Sequence, residues 1–133
     1  MRTLLTLYLA ASLTQTPVVG TESPHRHGPH GLEGWIVNET SPEYGPLPHT
    51  LVIAKDGRIL YRITGTWIIS GWMFQQDGAQ IAYSTGPLHF GDDVCVLMDT
   101  KTGREIARRF DCSNTKDVPN IPAWVEDLLR NGR

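Results

Sequence analysis

Three turn signals, each set between short apolar runs, constrain this chain more than any other feature. Asp56-Gly57 separates the run Leu51-Val52-Ile53-Ala54 from a second run that begins at Arg58. An Asp-Gly pair readily adopts the positive φ angles of a tight hairpin turn. Asp77-Gly78 stands in the same way between Trp72-Met73-Phe74 and Ile81-Ala82-Tyr83, and Gly103 between Val94 to Asp99 and Arg104 to Phe110. Three hairpins in succession predict a mainly antiparallel, all-β fold.

The third hairpin also indicates where its strands lie. Val94, Val96 and Met98 alternate with Cys95 and Leu97, so both faces of this strand are apolar and it is expected inside a sheet. Arg104, Arg108 and Arg109 mark its partner as an edge strand. After residue 119 the apolar period changes from two to the helical one. Trp124, Val125, Leu128 and Leu129 share a face, with Asn120 as an N-cap, Pro122 in the first turn and Gly132 as a stop, which predicts one C-terminal α-helix over about 120–131.

The N-terminus follows other rules. Arg2, an apolar run from Leu4 to Leu13 and the small residue Gly20 read as a signal peptide over 1–20, which places the protein in a secreted or periplasmic compartment. The run is too short to span a bilayer, and no later segment approaches the length needed, so no membrane span is expected. Residues 21–31, with His25, His27, His30 and two prolines, read as a flexible leader; a metal-binding tail is the sharper alternative. Residues 32–133 then form a single β-rich domain, enough for one hydrophobic core. With 12 basic against 14 acidic residues there is no electrostatic footprint for nucleic acid.

An oxidising compartment would favour a disulfide between the two cysteines, Cys95 and Cys112. A regular hairpin argues the other way. It sets Cys95 opposite Arg108 and carries Cys112 roughly 13 Å further at about 3.3 Å per residue, whereas a bridge needs Cα atoms within about 7 Å. The bond forms only if the chain bends back near Asp111.

Several segments recur in the same order. Gly34-Trp35-Ile36 is answered by Gly71-Trp72-Met73, Gly45-Pro46-Leu47-Pro48-His49 by Gly86-Pro87-Leu88-His89, and Gly57-Arg58 by Gly103-Arg104. Each copy then reads as a four-stranded meander of about 40 residues, the unit of a β-propeller blade. With its tryptophan-led strand, Asp-Gly turn and Asp-x-x-x-Gly turn, residues 71–110 resemble the blades of WD-repeat and related periplasmic propellers, and residues 34–63 resemble them less closely. The Gly-His and Trp-Asp dipeptides of that family are missing from both copies. Two blades cannot close a ring, so the resemblance implies two meanders packed as a small sandwich or as an open propeller fragment.

The sequence contains no Gly-x-Ser-x-Gly elbow, His-Glu-x-x-His helix, phosphate loop or dinucleotide glycine pattern, and no cofactor is expected. Adjacent acids such as Asp92 and Asp93 point to opposite faces of an extended chain and solvate a turn. Asn38-Glu39-Thr40 matches a glycosylation acceptor, relevant only in a eukaryotic secretory pathway. The candidate ligand-binding constellation is the pair of loops ending in His49 and His89, with Asp92 beside them and Trp67 and Trp72 as an aromatic wall. Two functions fit these residues. One is a non-catalytic binding module that engages an envelope protein or a second copy of itself through the strand edge 104–110. The other is a small secreted metal-dependent or hydrolytic enzyme built on His49, His89 and Asp92.

Overall fold

The computed structural model describes residues 22–65, 67–87, 93–116 and 118–133. The expected signal segment 1–20 lies outside the described residues. Strands β1 (Arg26–His27), β2 (Leu32–Ser41), β3 (Gly45–Lys55) and β4 (Arg58–Thr64) form one antiparallel sheet in that order. Strands β5 (Ile68–Gln75), β6 (Gln80–Gly86), β7 (Val94–Asp99) and β8 (Glu105–Phe110) form a second, followed by helix α1 (Ala123–Asn131). The fold is therefore mostly antiparallel β in two four-stranded meanders with one C-terminal helix, and neither sheet closes on itself.

Local turn chemistry builds these hairpins. Asp56 and Gly57 both take positive φ, 50° and 81°, between the paired ends Lys55 and Arg58. Gln76, Asp77 and Gly78 do the same between β5 and β6. At the third turn Gly103, at φ 73°, donates its N–H to the Asp99 carbonyl at 2.8 Å, while the Asp99 carboxylate accepts from the Thr102 N–H and hydroxyl, both at 2.8 Å.

Packing makes three layers. Leu32, Ile36, Leu51 and Ile53 of the first sheet meet Ile69, Trp72, Ile81 and Met98 of the second. On its other face the second sheet presents Ala82, Cys95 and Leu97 to Val125 and Leu128 of α1. The second sheet is thus covered on both sides, which is why β7 is apolar on both faces, and β7 lies between β6 and β8 as its composition requires. The charged strand β8 lies at the edge.

The segment 22–31, expected as a flexible leader, belongs instead to the first sheet. Arg26 and His27 pair with Gly34 and Glu33, and Glu22 bridges Val37. Such a short strand carries no periodic signal. It is held by tertiary contacts: the Arg26 guanidinium lies 4.3 Å over the Trp72 ring and donates to the Gly132 carbonyl at 3.2 Å. His25 stacks on Trp35 with ring centroids 3.9 Å apart, and its Nδ1 lies 3.1 Å from a Glu33 oxygen.

The helix starts later than expected. Asn120 takes φ 60° and provides no cap, and the helical residues begin after Pro122, whose carbonyl accepts the Val125 and Glu126 N–H groups. The two cysteines are bonded, with Cα atoms 5.9 Å apart. Two departures from a regular hairpin make this possible. An irregularity between Leu97 and Met98 moves Cys95 opposite Arg109 rather than Arg108, and Asp111 at φ 53° turns the chain back after β8.

The recurrent segments map onto this architecture unevenly. Gly57-Arg58 and Gly103-Arg104 occupy the corresponding last hairpin of each meander. Trp35 lies on the second strand of its sheet and Trp72 on the first strand of the other, while Gly45-Pro46 opens β3 and Gly86 ends β6. The correspondence therefore holds at the level of whole sheets and the last turn, not strand by strand.

Candidate functional site

Of the described sequence candidates, the fold brings His49 and Trp67 together and sets Trp72 apart. His49 occupies an irregularity in the β2–β3 pairing, where Val37 faces Thr50 and Asn38 faces Pro48, so His49 has no opposite residue. Such a bulge re-aims a side chain. The prolines around it are tolerated because β4 ends at Thr64 opposite Thr50 and, among the described residues, no strand pairs with that edge of β3 from Gly45 to Pro48, the last bond being Gly65 N–H to the His49 carbonyl at 3.0 Å. The His49 Nδ1–H donates to the Trp67 carbonyl at 3.0 Å, and its Nε2 lies 3.3 Å from a Glu39 oxygen, an ion pair when the ring is protonated. Trp67, 59 % exposed, sits with His49, Glu39 and Leu47 around a shallow cavity of about 350 Å³.

Trp72 does not join them. It is 2 % exposed, packed between the sheets with its ring edge-on to Phe74 at 5.2 Å, because a large apolar side chain on an inward position of β5 is worth more in the core. His89 and Asp92 lie outside the described residues. Among the described residues no group of three His, Cys, Asp or Glu side chains is placed to hold a metal, and His25 and His30 instead pair with acids, His30 Nε2 lying 2.8 Å from Asp77. No described helix is long and apolar enough to cross a membrane.

A larger concavity lies elsewhere, where the hairpin ends of the two sheets meet. It has a volume of about 750 Å³, within the usual range for small-molecule sites. Leu32, Leu60, Tyr61 and Ala79 supply its apolar lining. Lys55 from the β3–β4 turn and Lys101 from the β7–β8 turn reach it from the two sheets. Its framework is tied down: the Tyr61 hydroxyl donates to the Lys101 carbonyl at 3.0 Å, and the Thr100 hydroxyl to the Gly78 carbonyl at 2.7 Å.

The acids of this cleft are engaged by the protein itself. Asp77 pairs with His30, and Asp99 accepts both Thr102 donors. The Thr102 hydroxyl, then its N–H, holds the Asp99 carboxyl below its ordinary value. Partial burial, then the Asp99 charge, raises the Tyr61 phenol. Among the described residues the side chains of Lys55 and Lys101 have no hydrogen-bond acceptor; Asp99 accepts from the Lys101 backbone N–H and acts on the Lys101 ammonium through its field.

Nothing in the apolar periodicity announced this place. One signal was available: Lys55-Asp56-Gly57-Arg58 and Lys101-Thr102-Gly103-Arg104 repeat the pattern Lys-x-Gly-Arg at two turns, of which only the Gly-Arg part stood out. Compared with known proteins, the chain matches no family model, no curated protein and no solved structure.

Proposed function

We propose that this is a non-catalytic binding module of a secreted or periplasmic compartment, and that it takes its ligand in the cleft between the hairpin ends of the two sheets. The observation that carries this reading is the cleft itself: a mainly apolar lining drawn from both sheets, fixed by the Tyr61 and Thr100 hydrogen bonds, with two lysines at its rim. The disulfide between Cys95 and Cys112 supports the compartment, since such bonds persist where thiols are oxidised.

The test is a ligand screen by protein-observed NMR on the intact domain, repeated on Ala79→Trp. Ala79 is exposed at the cleft, so an indole there fills the space without entering the core. Ligands should shift the amides of residues 55–61 and 99–101 in the wild type and lose that effect in the variant. Hits that map elsewhere, or that survive Ala79→Trp unchanged, would remove the cleft from the account.

A second interaction surface is favoured by a separate observation. Among the described residues strand β8 is an edge with no strand on its outer side; there Ile106 is 50 % and Phe110 70 % exposed, flanking Arg108, which Glu105 holds through bonds of 2.6 to 3.2 Å. Exposed apolar groups on an unpaired edge suit β-strand addition by an envelope protein or a second copy of the chain. Arg108→Glu should weaken such association without unfolding the domain, as sedimentation would read. The enzyme reading rests on His49, His89 and Asp92; the last two lie outside the described residues, and the His49 imidazole bonds the Trp67 carbonyl and lies beside Glu39.

A further inference from the structure

The two Lys-x-Gly-Arg turns come from different sheets and different hairpins, yet the fold brings both to one rim. Tyr61 joins them: its hydroxyl bonds the Lys101 carbonyl, and its ring lies so close to Gly103 that a Cβ there would fall 2.7 Å from Cε1. This end of the molecule therefore gathers Lys55, Arg58, Lys101 and Arg104 against Asp56, Asp77 and Asp99. Two of those three acids already accept hydrogen bonds from His30 and Thr102, which leaves the rim short of acceptors for its ammonium groups. Inside the rim the lining is Leu32, Leu60 and Tyr61. Two lysines without side-chain acceptors at the rim and an apolar floor together favour one chemistry. A neutral apolar molecule leaves the lysines unused, and a polar dianion leaves the floor wet.

We propose that the cleft binds a small amphiphilic carboxylate: an aliphatic body lies on Leu32, Leu60 and Tyr61, and the carboxylate accepts from Lys55 and Lys101. This inference rests on the binding role proposed for the cleft. No bond is made or broken, and the lysines act as partly exposed point charges, so each contributes modestly and in a salt-dependent way.

The experiment uses the intact domain and sodium decanoate below its micellar concentration, followed by NMR titration, with decanol as the neutral probe and decyltrimethylammonium as the cationic one. Decanoate should shift the amides around Lys55, Leu60, Tyr61 and Lys101, and bind about tenfold more tightly than decanol. The double variant Lys55→Gln/Lys101→Gln should lose about that factor for decanoate and nothing for decanol, while Arg109→Gln, outside the cleft, should change neither. An unchanged melting curve for the double variant separates lost binding from lost fold. If all three probes bind the cleft equally, the carboxylate preference is wrong and the binding cleft stands. If none shifts the cleft amides and the broader screen finds no ligand there, both readings fail. Binding to phosphatidylglycerol vesicles without any cleft response to decanoate would overturn the proposal in favour of a basic membrane-facing surface.

Discussion

Gly34 on β2 lies directly against Trp72 on β5: a Cβ at position 34 would stand 2.5 Å from the indole Cη2. The absent side chain is what lets the first sheet close over the largest residue of the second, and Ile53 Cδ1, at 3.0 Å from the same point, leaves no room to slide aside. Gly34→Ala should therefore cost about 1–3 kcal/mol through overpacking, read as a lower midpoint in urea. A variant as stable as the wild type would show that the sheets can separate at this point without penalty.

Arg26 ties the short strand β1, itself paired with β2, to the second sheet and the C-terminus. Burial lowers the pKa of its guanidinium, and the Trp72 face and the Gly132 carbonyl offset that cost. Arg26→Ala should cost about 1–2 kcal/mol by loss of the ring contact and the charge-assisted bond. Hydrogen exchange at residues 22–31 should accelerate in the variant. Equal exchange in both proteins would mean that the segment is not held through this side chain.

The disulfide closes a loop of sequence separation 17 under the helix face, and both cysteines are buried. Loop closure of that size contributes about 3 kcal/mol by restricting the unfolded chain. Cys112→Ser should lower the thermal midpoint accordingly and loosen α1 first, because Cys95 and Cys112 pack with Val125 and Leu128. Trp124 fluorescence that stays unchanged through partial denaturation would contradict that order.

Asp99 gives the β7–β8 turn a pH dependence. Its carboxyl is held below the ordinary value of 3.8, first by the Thr102 hydroxyl and then by the Thr102 N–H. A depressed folded value means that the turn is stabilised above 3.8 and loses that contribution as the pH falls through the folded value. Thr102→Val should raise the Asp99 midpoint in an NMR titration toward 3.8. The stability difference between the two proteins should be present at neutral pH and vanish in acid; a difference that persists at low pH would assign it to packing instead.

Local chemistry alone determined much of the fold. Asp56-Gly57, Asp77-Gly78 and Gly103 require their turns because few other residues accept those φ angles, so three hairpins could be read directly. The two apolar faces of β7 required a layer on each side, and the arginines of β8 required an edge. None of this depends on which sheet lies where.

Tertiary structure decided what local signals do not encode. Strand β1 is two residues long, and its place comes from Arg26 meeting Trp72, residues far apart in sequence. The disulfide depended on a register irregularity and one positive φ at Asp111, each a small local departure whose effect at Cys112 is several ångströms. Trp67 and Trp72, five positions apart in the chain, part company because one stays exposed before β5 and the other packs in the core. The cleft is the clearest case. Lys55 and Lys101 stand at the tips of hairpins whose turns the sequence dictates, but only the packing of one sheet on the other brings those tips to a common rim.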